Sequence, residues 1–267
     1  MTAEERKNRL EAYLQRVEFA SLEELSHHVD ASISTVRRDL TALEAAGNLR
    51  RTHGGARLIT PRTDEFAFTA RDTHQVSEKE AIGKACAELI GANQSVILDA
   101  GTTIFHVAKH LEDKTLQVVT NSLPVANLFA SSNKTEVILA GGVIYPRLGV
   151  LVGPMTRDAF TNMRADVAIM GAGGITLEGV TNSHALLIDI QQAMLKAAQR
   201  IIFCLDHTKF GRQSVSPLCG LEMADVIVTD SHAPPELVAG LRERGVEVIV
   251  APGEHGNGEI AANKISK

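Results

Sequence analysis

From Ser77 onward, short apolar runs alternate with stretches of helical period, and few folds accept that alternation. The runs are Val96–Leu98, Leu116–Val119, Val137–Leu139, Val167–Met170, Ile201–Leu205, Val226–Val228 and Val246–Val250. Helical patterns lie near 103–111, 123–131, 187–199 and 234–244. Strands that alternate with helices imply an α/β domain with a largely parallel sheet and helices on both faces. Ahead of the first strand, Ser77 and Glu80 have the spacing of a capping box. They precede the apolar stripe Ile82, Ala85, Cys86, Leu89 and Ile90. This region is predicted to span 77–251, with a Gly-, Asn- and Lys-rich tail over 252–267.

Residues 1–60 have a different pattern. Leu10, Tyr13, Leu14 and Val17 fall at i, i+3, i+4 and i+7 and predict an amphipathic helix. Ser21 and Glu24 form a capping box for a short second helix with Leu22, Leu25 and Val29 inside. Ser32 can cap a third, with Ile33, Val36, Leu40 and Leu43 inside and Gly47-Asn48 as its stop. Leu49–Ile59 then reads as a hairpin around His53-Gly54-Gly55. Three short helices and a hairpin in this order describe a winged helix-turn-helix. Residues 61–76 are polar, carry Pro61 and show no period, which predicts a linker in which Phe66 and Phe68 dock onto a domain.

Net charge bears on what such a head could bind. The whole chain carries 27 basic and 32 acidic residues, a formal −5, which excludes a uniformly basic nucleic-acid coat. The charge is unevenly placed. Residues 32–62 hold six Arg against Asp39 and Glu44, a local +4. On the third helix Ser34, Arg37, Arg38 and Thr41 share the outer side, with Thr35 beside them. Arg forks onto guanine O6 and N7, and Ser or Thr takes a base edge or a phosphate. Arg50, Arg51, Arg57 and His53 lie on the hairpin, placed to meet the flanking backbone. The predicted partner is double-stranded operator DNA. Asp39 faces no phosphate usefully and is expected to brace an Arg or cap a neighbour. Trp is absent and aromatics total 4%, which argues against a stacking platform for single strands.

In an open α/β sheet, ligands bind beyond the carboxyl ends of the strands. Here those ends carry Asp99-Ala100-Gly101-Thr102-Thr103, Thr120-Asn121-Ser122, Gly141-Gly142 with Arg147 after it, Gly171-Ala172-Gly173-Gly174, and Asp206 followed by Lys209. Gly lets backbone approach an anion, and hydroxyls and N–H groups at a helix N-terminus cradle phosphate. Each motif alone is equally an ordinary helix cap. Together they point to a small phosphorylated ligand, with Asp99, Gly101, Thr102, Thr103, Thr120, Asn121, Ser122, Arg147, Gly173, Gly174 and Lys209 as its candidate contacts.

Other chemistries fit less well. Thr176 stands where the third Gly of a dinucleotide fingerprint belongs, so no nicotinamide or other cofactor is expected. His184, His207 and His232 lack ligand spacing in sequence, and no metal is expected. Cys86, Cys204 and Cys219 are far apart with no CxxC, which excludes a disulfide scaffold or thiolate zinc module. There is no Gly-x-Ser-x-Gly elbow. No apolar run reaches the ~18 residues of a membrane span, and Met1–Arg9 lacks the apolar core of a signal peptide, so the expected location is cytoplasmic with no membrane partner.

The two halves together resemble the deoxyribose-operon regulator (DeoR) family of bacterial transcription factors. The likeness covers about residues 4–232. It is carried by Arg6, Leu10 and Leu14, by Ser32-x2-Thr35-Val36-Arg37-Arg38-Asp39-Leu40, and by Leu49-Arg50-Arg51-x-His53-Gly54-Gly55-Ala56. Further on it rests on Glu78-Lys79, Asp99-x-Gly101-Thr102-Thr103, Thr120-Asn121-Ser122, Gly141-Gly142, Gly171-x-Gly173-Gly174-Ile175 and Asp206-His207-Thr208-Lys209-Phe210-Gly211. The resemblance implies a Rossmann-like effector domain similar to sugar-phosphate isomerases and CoA transferases. It also implies repression of sugar or polyol operons, relief by phosphorylated metabolites, and a homo-oligomer, dimer or tetramer. One departure stands out: Gln191-Gln192 occupies a place where many members carry a basic pair.

The expected function is therefore a non-enzymatic repressor of a sugar or polyol catabolic operon, released by a phosphorylated metabolite. The alternative is a sugar-phosphate isomerase-like enzyme carrying a DNA-binding head. Isomerisation needs a placed base. The loop after the fourth strand, Gly171–Gly174, has no carboxylate, so only Asp99 and Asp206 remain for that role.

Overall fold

In a computed structural model the described residues are 2–17, 19–45, 49–52, 55–58 and 68–253. The chain divides into two compact units, residues 1–65 and 66–267.

The first unit contains α1 (Ala3–Val17), β1 (Phe19–Ser21), α2 (Leu22–His28), α3 (Ile33–Ala45), β2 (Leu49–Thr52) and β3 (Gly55–Leu58). Its core is the set of apolar positions that helical spacing selects. Leu10 and Leu14 of α1 meet Leu22 and Leu25 of α2, Val36, Leu40 and Leu43 of α3, and Leu49 and Ala56 of the hairpin. The Ser21–Glu24 capping box forms: Ser21 Oγ accepts the Glu24 N–H at 3.2 Å, and Glu24 Oε2 accepts the Ser21 N–H at 2.7 Å. The hairpin gains a third strand, giving the antiparallel order β1-β3-β2. Three residues running straight into a helix cap leave no alternation to read, so β1 escapes sequence inspection. Asp39 is buried and its carboxylate takes a forked bond from Arg6, at 2.5 Å to Nε and 3.2 Å to Nη2, bracing α1 against α3.

The second unit runs α4 (Phe68–Asp72), α5 (Val76–Glu88), β4 (Ser95–Leu98), α6 (Thr102–Lys109), β5 (Gln117–Thr120), α7 (Leu123–Phe129), β6 (Glu136–Leu139), β7 (Val143–Tyr145), β8 (Val150–Val152), α8 (Pro154–Thr161), β9 (Ala165–Met170), β10 (Gly174–Thr176), β11 (Gly179–Asn182), α9 (Ala185–Ala197), β12 (Ala198–Cys204), β13 (Ser216–Cys219), β14 (Val226–Asp230), α10 (Pro235–Glu243) and β15 (Glu247–Ala251). Seven strands form one sheet in the order β15-β14-β12-β9-β4-β5-β6. Every pairing in it is parallel. These are the seven apolar runs, shifted by a few residues at their ends. Alternate side chains supply two cores. Ile97, Ala168, Met170, Phe203 and Ile227 pack with α8, α9 and α10 on one face. Val96, Leu98, Val167, Ile169, Ile202 and Cys204 pack with α5, α6 and α7 on the other. Among the described residues no helix is long and apolar enough to cross a membrane.

Three features depart from the sequence expectation. Residues 68–72 of the predicted linker form α4, where Phe68 stacks edge-on against Phe105 at 5.5 Å; residues 61–67, with Phe66, lie outside the described residues. The Ser77–Glu80 capping box does not form. α5 starts at Val76 behind a left-handed Gln75 (φ 52°), which puts Ser77 inside the first turn, and Glu80 instead accepts from His106 Nδ1 at 2.6 Å and His110 Nε2 at 2.8 Å. The strands of the ribbon β7-β8 and of the antiparallel sheet β10-β11-β13 are only three or four residues long, too short to show a period.

Candidate functional site

On α3, burial of Val36, Leu40 and Leu43 turns the opposite side of the helix outward. Ser34, Arg37, Arg38 and Thr41 are exposed there, and Thr35 is half-buried. Ser32 Oγ accepts the Thr35 N–H at 3.3 Å and lies 2.9 Å from both Ser34 Oγ and Thr35 Oγ1. The start of α3 thus presents a cluster of hydroxyls. Thr41 Oγ1 donates to the Arg37 carbonyl at 2.7 Å, so its proton is committed to its own helix. Arg50 and Arg51 lie on β2, paired in register with Arg57 and Ala56 of β3. His53 lies outside the described residues.

The second candidate site follows from strand order. After β4 the chain winds outward to β5 and β6, then returns to place β9 on the other side of β4. The crevice of such a sheet opens where neighbouring strands send their connections to opposite sides, here at the carboxyl ends of β4 and β9. Asp99, just past β4, is buried at that point. Its Oδ1 accepts the Ala100 N–H at 2.7 Å, and its Oδ2 accepts the Gly171 N–H at 3.1 Å and Gln191 Nε2 at 2.6 Å. One carboxylate therefore clamps the two diverging strands and α9. Burial pushes its pKa up to about 6, while these three hydrogen bonds and the charge of Arg71 pull it down. Gln191 passes the chain onward by accepting from Asn182 Nδ2 at 2.7 Å.

Around this floor the predicted contacts separate. Gly101 has φ 141°, a conformation only Gly adopts readily, and open space where a Cβ would stand. It delivers the chain into α6, with Thr102 buried and Thr103 half-buried in the first turn. Thr120, Asn121 and Ser122 are almost fully buried and engaged in the fold. Ser122 caps α7 through the Val125 N–H, and Asn121 Nδ2 donates to the Leu151 carbonyl at 2.9 Å, fastening β8. Gly174 is needed for close packing, since a Cβ would stand 2.1 Å from the Arg212 carbonyl oxygen; at Gly173 it would crowd Ser183 and Ser214. Arg147 is half-buried between β7 and β8, and its carbonyl accepts the Phe68 N–H at 3.1 Å.

Two cations missing from the predicted set join Lys209. Lys79 of α5 is buried, and its Nζ donates to the carbonyls of Arg71 and His74. Burial lowers it to about 8, against the pull of Asp206 and Asp72, with Lys209 and Arg71 lowering it further. Lys209 Nζ lies 3.9 Å from Asp206 Oδ2; burial lowers its pKa, Asp206 opposes, and Arg212 and Arg71 add to the lowering. Arg71, Lys79 and Lys209 thus repel one another around the buried acids Asp99 and Asp206. Asp206 itself caps the turn after β12, accepting the Thr208 N–H at 3.0 Å and the Thr208 hydroxyl. Lys79 was visible only as part of the Glu78-Lys79 motif, and Arg71 was hidden in the supposed linker.

The comparisons agree with this division. Residues 6–62 match the DeoR-like helix-turn-helix domain, and residues 74–231 match the DeoR C terminal sensor domain. The chain is 33% identical to the HTH-type transcriptional regulator GolR of Listeria innocua over 92% of this chain and 98% of that one. It is 30% identical to the glycerol-3-phosphate regulon repressor of Escherichia coli, covering 93% and 99%. It is 31% identical to the HTH-type transcriptional repressor GlcR of Bacillus subtilis, covering 96% and 99%. Ribose 5 phosphate isomerase A from Neisseria gonorrhoeae superposes with TM-score 0.37 at 16% identity over 51% of this chain and 53% of its own, a likeness too weak to argue from. With both halves matched in order and relatives aligned end to end, the chain belongs to the DeoR family of transcriptional regulators and binds DNA through its helix-turn-helix unit.

Proposed function

We propose that this regulator represses a sugar or polyol catabolic operon and is released by a phosphorylated sugar or polyol held beyond the carboxyl ends of β4, β9 and β12. The observation that carries the reading is the crowding of Arg71, Lys79 and Lys209 around the buried Asp206, with Arg71 also acting on Asp99, which lies just ahead of α6. A phosphate dianion relieves the mutual repulsion of three partly desolvated cations, and first-turn N–H groups suit it. The name of the E. coli relative, a glycerol-3-phosphate regulon repressor, is in keeping with such an effector.

On the DNA side, Ser34, Thr35, Arg37, Arg38 and Thr41 read the major groove, and Arg50, Arg51 and His53 meet the backbone. The protein acts in the cytoplasm as a homo-oligomer, a dimer or tetramer. Two heads must match half-sites about 34 Å apart or a multiple. The effector lowers operator affinity by binding more tightly to an arrangement of the sensor units that misplaces the heads. The reading of a non-enzyme is supported by the state of the two candidate bases. Both Asp99 oxygens and Asp206 Oδ1 already accept hydrogen bonds from the protein.

The test is a thermal-shift screen of the full-length protein against paired phosphorylated and unphosphorylated sugars and polyols, with and without operator DNA. A phosphorylated member is expected to raise the melting temperature, and its unphosphorylated partner to leave it unchanged. A panel in which phosphate makes no difference would overturn the effector class.

A further inference from the structure

The loops after β12 and β14 bring His207 and His232 together with Glu78 of α5, three residues far apart in sequence. One ligand atom from each lies within 4.8 Å of the others. We infer that Glu78, His207 and His232 form a binding site for a divalent transition metal of the zinc class, oriented by Asp230. The site adjoins the proposed effector site, since Glu78 precedes Lys79 and His207 follows Asp206, but it uses none of the proposed effector contacts.

Asp230 makes the cluster more than a chance meeting. It is buried at the end of β14 and accepts four bonds: from the His207 N–H at 2.7 Å, the His207 ring Nδ1 at 3.0 Å, the His232 N–H at 2.9 Å and the His232 ring Nδ1 at 3.2 Å. A carboxylate that accepts from Nδ1 of an imidazole fixes the tautomer and turns Nε2 into a good metal ligand. Here one carboxylate holds both loops by their backbones and both rings by their edges. The rings stand 5.2 Å apart, and the His232 edge that faces Asp230, Nδ1, is also the one 3.8 Å from Glu78 Oε1, so His232 turns its ring to present Nε2 to a shared ion.

Two imidazoles and a carboxylate suit zinc and its neighbours, and poorly suit calcium or magnesium, which prefer all-oxygen shells. Ligand atoms about 2.1 Å from a tetrahedral ion stand ~3.4 Å apart, so the present spread closes by inward side-chain rotations. His232, 65% exposed, is free to make them, and the same exposure gives the ion its path in. Three protein ligands leave a fourth position for water or an anionic oxygen.

The experiment is a Zn2+ titration of the full-length, untagged protein in competition with a chromophoric chelator, repeated with Co2+ and read by its visible absorption. The expected result is one tight equivalent per chain and a tetrahedral Co2+ spectrum that Zn2+ displaces. His232→Ala, on an exposed position that leaves folding intact, is expected to weaken binding at least tenfold, and the His207→Ala/His232→Ala pair to abolish it. Asp230→Asn is expected to weaken it about 10–100-fold. Cys219→Ser is expected to change nothing. Unaltered affinity and stoichiometry in the double variant, or no Zn2+ uptake by the folded parent protein, would overturn the assignment.

Discussion

Gln191 donates its Nε2 to the buried Asp99 carboxylate at 2.6 Å and so joins α9 to the point where β4 and β9 diverge. A residue noticed in the sequence only as a departure from the family pattern is thereby a structural partner of the candidate site. Its amide is suited to this place because its donor meets the carboxylate while its oxygen accepts from Asn182.

Gln191→Leu removes both bonds and leaves a buried carboxylate short of one donor. The expected loss of stability is about 1–3 kcal/mol, the cost of leaving a buried polar group unsatisfied. Chemical denaturation of the full-length protein measures it, provided the transition of the sensor unit is resolved from that of the head. An unchanged midpoint would show that the pair contributes nothing.

Asp99 also gives a pH signature. Its carboxyl, pushed up to about 6 by burial, holds a proton in the folded state where the unfolded chain has released it. Its contribution to stability is therefore complete below the unfolded value near 4 and is lost as pH rises through about 6. Between pH 5 and 7 the parent protein is expected to lose on the order of 1–3 kcal/mol more than Asp99→Asn does. Parallel pH profiles for the two proteins would contradict the assigned shift.

Lys79 sets a second pH limit, on ligand binding. A lysine lowered to about 8 is largely charged at pH 7 and largely neutral at pH 9. Effector affinity is expected to hold up to about pH 8 and to fall above it, because a phosphate binds the charged form. Calorimetric titrations at pH 7, 8 and 9 test this, and a flat profile would remove Lys79 from the site.

Two substitutions separate reader from sensor. Arg37→Ala is expected to weaken specific DNA binding by about 1–3 kcal/mol and to relax preference at one base position. A uniform weakening across sequences would make it a phosphate contact. Thr102→Val is expected to leave operator binding intact and to blunt release by effector. An unchanged response would displace the cradle from the start of α6.

The legibility of this chain follows from burial. Strands β4, β9 and β12 are covered on both faces, so they appear in the sequence as continuous apolar runs; the edge strand β6 is equally readable as a run although Ile138 and Leu139 are exposed. Helices α1 and α3 are legible through their buried stripes. Strands β10, β11 and β13 are not, because stretches as short as Gly174–Thr176 and Ser216–Cys219 show no period. The candidate site was half legible. Gly101 and Thr102 follow a strand directly, as a ligand-binding turn should. Thr120-Asn121-Ser122 has the same look: Ser122 caps α7 and Asn121 Nδ2 fastens β8, while the buried Asn121 Oδ1 makes no hydrogen bond among the described residues. Arg71 and Lys79 come to Lys209 only through the folding of α4 and α5, and no local pattern announces it. The same holds for Glu78, His207 and His232.

The proposal stands on an Arg-bearing helix that reads duplex DNA under the control of a phosphate-binding site at the carboxyl ends of the sheet strands. Footprinting of the full-length protein on the region upstream of its own gene tests it most directly, with paired phosphorylated and unphosphorylated sugars and polyols added in turn. The expected result is a discrete protected site, lost with a phosphorylated compound, retained with its unphosphorylated partner, and absent for Arg37→Ala. Protection that no phosphorylated compound releases, or that its unphosphorylated partner releases equally well, would contradict it.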